Sequence, residues 1–533
     1  MKQRYYIAIL ALILLLGAFL RFYNITQKGF YFDDEAVYAL QAKSKIALPQ
    51  AVFHHFKDGI SFREAREKYM PWGFWKRSNG RPGYIYLVAS SFIIGNAKDT
   101  TIFILNGILS LAAILFLYLL TSLLINKNAG LAAAFLLTIS PYFLYYSRNG
   151  RSQIATSLFF TAGIYFLVKA LKNKMPRLFF IGGLLIGYAL TTHWSLLVSI
   201  VAVPLVFLYL WRKKTFPFEE LKKYFLKFSA GFLMPLLFFQ FITVIQDLLL
   251  YFFVPYTQNF ANYFAELLDL FKDIPRAKVY GSFEPFFYLN LFSSMDGLIS
   301  VILFLGGVIL AIYKKIYRKS EFILLLIITM ISIILISVSY TRVARTFASF
   351  LPLIYFFAAF AIWEIVGLIK YKKLKFAFVA AIIILTGINA IENNKRILRF
   401  GNPYKKAVEM AQNYASNDKI FLADYSSGPI FNFYANDILK GATTAESAKE
   451  QGARVFLSDW LLWEDVAADR SYFKSVKPSI VINDPFLEMT INPLEVDRWV
   501  SYYDSGIEDF INLKNNEPHF NVINIYLPGS SLK

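Results

Sequence analysis

The dominant pattern along the chain is the uncharged apolar run. Tyr5 to Leu20 carries no charged residue, and neither does Thr100 to Leu124. A helix needs about 20 such residues to cross ~30 Å of hydrocarbon. The pattern predicts about eleven spanning helices, at 5–20, 100–124, 129–146, 152–171, 178–193, 195–211, 225–246, 296–313, 321–340, 346–369 and 375–391. The fifth and sixth are separated only by "TTHWS", which reads as a tight hairpin or a broken helix.

The segments between the runs differ in kind. Two long ones, 21–99 and 247–296, interrupt the apolar pattern. In the first, "FREAREKY" has helical spacing, and "GYIYLVASSFIIG" is an apolar helix too short to span. Helices lying along a membrane surface fit both. After Glu392 the pattern changes again. "NPYKKAVEMAQNYASN" reads as an amphipathic helix, and "KIFLADY", "RVFLSDW", "SIVIND" and "VINIYL" read as short buried strands. Such alternation predicts a small α/β domain. "SSGP" at Ser426–Pro429 is a turn, not a nucleotide fingerprint. The expected fold is a polytopic α-helical membrane domain over 1–391 and an extracytoplasmic α/β domain over 392–533.

Composition supports the membrane reading. Hydrophobic residues make up 57% of the 533, with a mean hydropathy of +0.47, against about 45–50% apolar in soluble domains. The chain has no cysteine, so disulfides, thiolate catalysis and Cys-ligated zinc are excluded. Lys2 and Arg4 before an apolar core have the form of a signal peptide. No small-residue cleavage pattern precedes Arg21, so an uncleaved first span is expected.

Charge then sets an orientation. The net charge is +19, yet the chain from Glu392 onward carries 15 Lys+Arg against 19 Asp+Glu. The positive excess therefore belongs to the membrane half, where orientation explains it better than nucleic acid does. With a cytoplasmic N-terminus, "KNKMPR", "WRKKTFPFEELKK", "YKKIYRK" and "KYKKLK" fall inside. The sparser "SRNGR", "TTHWS" and "TRVAR" fall outside, as the positive-inside rule requires. An odd number of spans puts the tail outside. A multi-pass plasma-membrane protein is expected.

Candidate chemistry gathers on that outer face. "FYFDDEAVYALQA" places Asp33, Asp34 and Glu35 directly after aromatics. One acid there is well explained as the cap of a helix beginning at Glu35. Three acids near a membrane point equally to function. Five arginines share the face: Arg81, Arg148, Arg151, Arg342 and Arg345. Any one of them is as well read as an interfacial anchor. Together they break the charge trend unless something negative meets them, and guanidinium forks suit phosphate. A divalent cation is left open, with His54, His55 and His193 as outer-face ligand types that Asp33 or Glu35 could join. "NIT" at Asn24 has the pattern of a glycosylation sequon.

The ordered motifs resemble the GT-C glycosyltransferases that use polyprenyl-phosphate sugars, among them protein O-mannosyltransferases and lipid A aminoarabinose transferases. "FYFDDEAVYALQA" resembles their first outer loop, with Asp34-Glu35 as the acidic pair and Tyr38 and Ala42 following. "RPGYIYLVASSFIIG" resembles their surface helix, with Arg81 at a lysine position. "ISPYFLYYSRNGRSQIATSLFF" matches a further segment, with Arg148 and Arg151 at its two basic positions and Gln153 where an Asp is common. "GLLIGYALTTHWSLLV" and "TRVARTFASFLPLIYFFAAFAI" resemble later segments. The resemblance implies sugar transfer from a polyprenyl-phosphate donor to a glycan, lipid or protein acceptor at the outer face. It implies Asp34 as the catalytic residue. Glu35 would orient it or help to hold a cation, Asp33 would cap the following helix, and the arginines would bind the donor phosphate.

Two other readings compete. A transporter or flippase of a lipid-linked sugar would also need many spans and outer arginines, but such proteins commonly show internal repeats and mid-membrane charges. Neither is seen here. A scaffold whose tail binds a partner leaves the acidic loop unexplained.

Overall fold

The computed structural model describes residues 2–31, 33–70, 80–253, 263–264, 286–338, 344–399, 403–415, 419–422, 428–435, 438–439, 449–450, 452–458, 477–483 and 522–527. The described residues of the apolar runs are mainly helical. They form α1 (Lys2–Phe22), α5 (Asp99–Leu124), α6 (Lys127–Ile139) with α7 (Pro141–Ser147), α8 (Gln153–Asn173), α9 (Pro176–Thr192), α10 (Leu197–Arg212) and α11 (Phe218–Phe253). After α12 (Phe287–Asp296) come α13 (Leu298–Tyr313), α14 (Ser320–Val338), the short α15 (Ala344–Ala348), α16 (Leu351–Leu368) and α17 (Lys372–Arg399).

Their lengths refine the expected eleven spans. Among the described residues, seven helices are long and apolar enough to cross a membrane, and the pair α6–α7 would make eight. That pair is bent by 64° where Pro141 starts the second helix and the Ser140 hydroxyl accepts the Phe143 N–H. α9 has 17 residues, while α10 and α13 have 16 each. At 1.5 Å per residue these rise only ~24–26 Å. Leu12, Leu15, Phe241 and Ile384 stand exposed on α1, α11 and α17. Side chains of that kind at a bundle surface suit lipid, where helices satisfy their own backbone.

Small residues seat the central helices. A Cβ on Gly183 or Gly187 of α9 would come within 2.2 Å of the Phe228 or Phe232 carbonyl oxygen of α11. This is the close approach that small-xxx-small spacing permits between membrane helices.

The first outer segment is mostly helix. α2 (Asp33–Asp58) is 26 residues long, far longer than a capped loop requires. α3 (Phe62–Tyr69) starts with a capping box of Ser61 and Glu64, as its helical spacing predicts. α4 (Pro82–Gly95) is the expected short apolar helix.

The tail contains α18 (Pro403–Ala415), β1 (Lys419–Leu422), α19 (Gly428–Tyr434), β2 (Ile438–Leu439), β3 (Ala453–Ser458), β4 (Ile480–Asn483) and β5 (Val522–Tyr526). The four expected strands are present, and β2, too short for an alternation signal, joins them. The sheet order is β2-β1-β3-β5-β4, with β1 parallel to β2 and β3, and β5 antiparallel to β3 and β4.

The tail meets the start of α2. The Phe30 N–H donates to the Tyr434 hydroxyl at 2.7 Å, and that hydroxyl donates to Asp99 Oδ2 at 2.7 Å. Lys405 reaches the same carboxylate at 3.6 Å, and Phe433 packs edge-on against Phe30.

Candidate active site

The three acids at the start of α2 divide their roles. Glu35 is fully buried. Its Oε1 accepts the Gly150 N–H at 2.6 Å, its Oε2 accepts the Tyr31 N–H at 2.8 Å, and Lys28 Nζ lies 3.4 Å away. A Cβ on Gly150 would approach Glu35 and Ile102 to 3.2 Å, so the contact is tight and a larger residue would make its neighbours give way. Glu35 therefore ties the acidic loop to the turn between α7 and α8. Each of its oxygens accepts a backbone N–H, and Lys28 shares Oε1. The side chain of Asp33 lies outside the described residues, and its backbone opens α2.

Asp34 faces arginine instead. Its Oδ2 lies 3.2 Å from Arg345 Nη1, and its side chain is 30% exposed against 15% for Arg345. Burial pushes the Asp34 carboxyl up, but the Arg345, Arg81 and Arg151 guanidiniums outweigh it and hold the group below its ordinary value.

Each arginine is placed by a different element. Arg81 precedes Pro82, which starts α4 at the position proline favours. Its guanidinium sits over the Tyr38 ring, 5.1 Å from the centroid. α4 lies hard against α9: a Cβ on Gly83 would come within 2.2 Å of the Thr191 hydroxyl, and the Tyr188 hydroxyl donates to the Gly83 carbonyl. That approach brings the charge of Arg81 to bear on His193, just past the end of α9. Arg151 follows a turn whose carbonyls are held from two sides. Asn106 donates to the Asn149 and Arg151 carbonyls, and the Tyr84 hydroxyl donates to that of Gly150. Arg345 lies on α15, where the Tyr142 hydroxyl grips the Ala344 carbonyl at 2.6 Å.

Among the described residues, the guanidiniums of Arg345, Arg81 and Arg151 all act on the Asp34 carboxylate. Burial lowers Arg81 to about 10 even with Asp34 beside it, and Arg345 and Arg151 add to the lowering. It remains charged at neutral pH. The loops "SRNGR", "TTHWS" and "TRVAR", read as sharing one face, thus contribute to one site, together with Asp34.

Comparison with known proteins places this geometry in a fold. Residues 79–245 match the family model for dolichyl-phosphate-mannose-protein mannosyltransferase, which is under half of the chain. None of the curated proteins matches the sequence significantly. Among solved structures, ArnT from Cupriavidus metallidurans bound to undecaprenyl phosphate superposes with a TM-score of 0.56 at 11% identity, covering 89% of this chain and 96% of that one. The archaeal oligosaccharyltransferase AglB from Archaeoglobus fulgidus, in complex with an inhibitory peptide and a dolichol-phosphate, gives 0.55 at 16% identity, covering 86% and 70%. An Archaeoglobus fulgidus oligosaccharyltransferase in the apo form gives 0.57 at 14% identity over the same shares.

The fold is that of the GT-C membrane glycosyltransferases.

Within this GT-C fold the expected site residues do not all converge. Asp34, Arg81, Arg151 and Arg345 come together. Arg148 does not join them: its Nη1 donates to the Leu20 and Arg21 carbonyls, so it serves the C-terminal end of α1. Arg21, fully buried beside it, donates to Ser110 and to the Gly17 and Thr138 carbonyls. Arg342 lies outside the described residues.

The ligand types for a cation are scattered. His54 pairs with Asp58 at 2.8 Å, His55 with the Ile60 carbonyl at 2.6 Å, and His193 with Ser195 at 2.8 Å. No group of three or more His, Asp or Glu suited to a metal occurs among the described residues. Asp34 is turned to an arginine and Glu35 to backbone amides, so among the described residues these two do not assemble a donor set for a divalent cation. Lys28, Tyr84 and Asn106, which shape the site, carried no signal in the sequence beyond being polar residues beside or within apolar runs.

Proposed function

We propose that the chain is a membrane glycosyltransferase. It moves a sugar from a polyprenyl-phosphate donor to an acceptor hydroxyl at the extracytoplasmic face. The observation that carries this reading is the gathering of the Arg81, Arg151 and Arg345 guanidiniums around Asp34. Among the described residues, the charges of Arg81, Arg151 and Arg345 all act on Asp34, and guanidiniums gathered in this way suit an anion. The undecaprenyl phosphate and dolichol-phosphate named for the similar proteins have that chemistry.

The reaction follows from the charges. The acceptor O–H gives its proton to the Asp34 carboxylate while the oxygen attacks the anomeric carbon. The bond from that carbon to the phosphate oxygen breaks, and its electron pair leaves with polyprenyl phosphate. The phosphate changes from a diester monoanion to a monoester dianion. Fixed guanidiniums favour that second charge more than the first, which is transition-state stabilisation. One displacement inverts the anomeric centre, so no glycosyl-enzyme is required. Asp34 loses a negative charge as the phosphate gains one, and the net charge of the site is unchanged.

The same reading puts residues 392–533 in an outer domain and the N-terminus in the cytoplasm. Protease added to right-side-out cells is expected to cut the tail and to spare the "WRKKTFPFEELKK" loop. The reverse pattern would turn the site to the cytoplasm. For the reaction itself, the purified protein in liposomes is given polyprenyl-phosphate-[³H]mannose and an envelope extract. Tritium is expected to leave the lipid fraction for the acceptor as polyprenyl phosphate appears. A flippase would instead carry the intact lipid across the bilayer without cleaving it.

A further inference from the structure

His193 lies just past the C-terminal end of α9, 1% exposed, where the charges of Arg81, Arg345 and Arg151 reach it. The Ser195 backbone N–H lies 3.2 Å from its Nδ1, and a backbone amide can only donate. Nδ1 is therefore an acceptor, and the proton of the neutral ring sits on Nε2. Trp194 stacks beside the ring with centroids 5.6 Å apart. Nε2 is buried and has no hydrogen-bond partner among the described residues.

An orphaned buried N–H is costly, and native proteins seldom keep one without a use. Burial and then the guanidiniums of Arg81, Arg345 and Arg151 hold the imidazole well below its ordinary pKa, so it adds no fourth positive charge. A metal ion on Nε2 would need that nitrogen stripped of its proton. It would also have to sit among arginines that repel a cation. An anion's oxygen is the partner that suits both the N–H and the field.

We infer that His193 binds the phosphate of the lipid donor, giving its Nε2–H to a phosphate oxygen as a neutral hydrogen-bond donor beside the arginines. The inference rests on the donor reading above and adds a residue with a different job. Arginines supply charge; a neutral imidazole fixed by Ser195 supplies direction. The sequence offered His193 only as a candidate metal ligand, because a histidine in "TTHWS" shows neither its tautomer nor its neighbours.

Two substitutions separate the two ring nitrogens. His193→Asn keeps an acceptor near Nδ1 for the Ser195 N–H but removes the donor at Nε2. His193→Gln can extend an amide N–H towards the Nε2 position. Binding of undecaprenyl phosphate to the detergent-purified full chain is measured for both variants, for Arg81→Ala and for wild type. His193→Asn should bind roughly tenfold more weakly or worse, and His193→Gln should recover most of the loss. With ¹⁵N-histidine labelling, the four histidines allow one Nε2–H signal to be followed. It should shift with undecaprenyl phosphate and not with equimolar inorganic phosphate.

If wild type binds, Arg81→Ala weakens binding and His193→Asn binds like wild type, the inference about His193 fails while the donor reading stands. If wild type does not bind the lipid phosphate at all, both fail. An equal response to inorganic phosphate would mark a free-phosphate site and overturn the lipid assignment. A ring found protonated at neutral pH, or carrying its proton on Nδ1, would overturn the mode of binding.

Discussion

Asp34→Asn lowers sugar transfer by ~10²–10⁴, the usual contribution of a positioned acid–base group, and leaves the fold and donor binding nearly intact. The amide keeps the size of the carboxylate and can still meet Arg345, 3.2 Å away in the wild type. It cannot accept the acceptor's proton. Asp33→Asn is expected to cost far less, because asparagine serves the start of a helix about as well as aspartate does. The pH profile carries a further sign. Transfer needs the ionised base, so it falls as pH drops through the Asp34 pKa. Burial alone would raise that pKa, but Arg345, Arg81 and Arg151 hold it below the ordinary carboxylate value in the free enzyme. A bound phosphate engages those arginines and returns basicity to Asp34. The acid limb of kcat is therefore expected at higher pH than that of kcat/KM. Normal transfer by Asp34→Asn with loss in Asp33→Asn would mean that the wrong aspartate has been chosen.

Arg345→Ala weakens donor use by roughly ten- to a hundredfold. A charge-assisted hydrogen bond contributes ~1.5–3 kcal/mol, and ~1.4 kcal/mol is a factor of ten. Arg345→Lys restores only part, since an ammonium cannot grip two oxygens in one plane. Arg81→Ala is expected to lose a similar amount. Arg148→Ala differs in kind: it removes donors to the Leu20 and Arg21 carbonyls, so thermal stability falls rather than donor affinity alone. Steady-state kinetics over donor concentration and melting of each purified variant check this contrast. Equal loss of donor affinity in Arg148→Ala and Arg345→Ala, with unchanged melting in both, would break the division.

Much of the bundle was legible because bilayer thickness writes itself into run length. Tyr5–Leu20 or Thr100–Leu124 can hardly be anything but apolar helix. What run length could not show was where a run breaks: Pro141 bends one segment by 64°, and α9, α10 and α13 are short. The strands of the tail were legible from their alternating apolar residues, apart from the two-residue β2. In the site, Asp34, Arg81, Arg151 and Arg345 shared a face by charge pattern, and the fold brings them together. Arg148 shared the same pattern and went elsewhere, because the choice between a carbonyl and a ligand is made by tertiary packing. Glu35 looked like a catalytic partner by adjacency. Successive residues at a helix start point in different directions, and its direction is toward Gly150 and Tyr31.

An electron cryomicroscopy map of the chain with undecaprenyl phosphate bound tests the central claim most directly. The phosphorus density is expected within hydrogen-bond reach of Arg81 and Arg345, with Arg345 drawn off Asp34 towards the phosphate and the lipid tail running along the apolar bundle. Phosphate density at the opposite end of the bundle, near "WRKKTFPFEELKK", with the Asp34–Arg345 pair undisturbed, would contradict it.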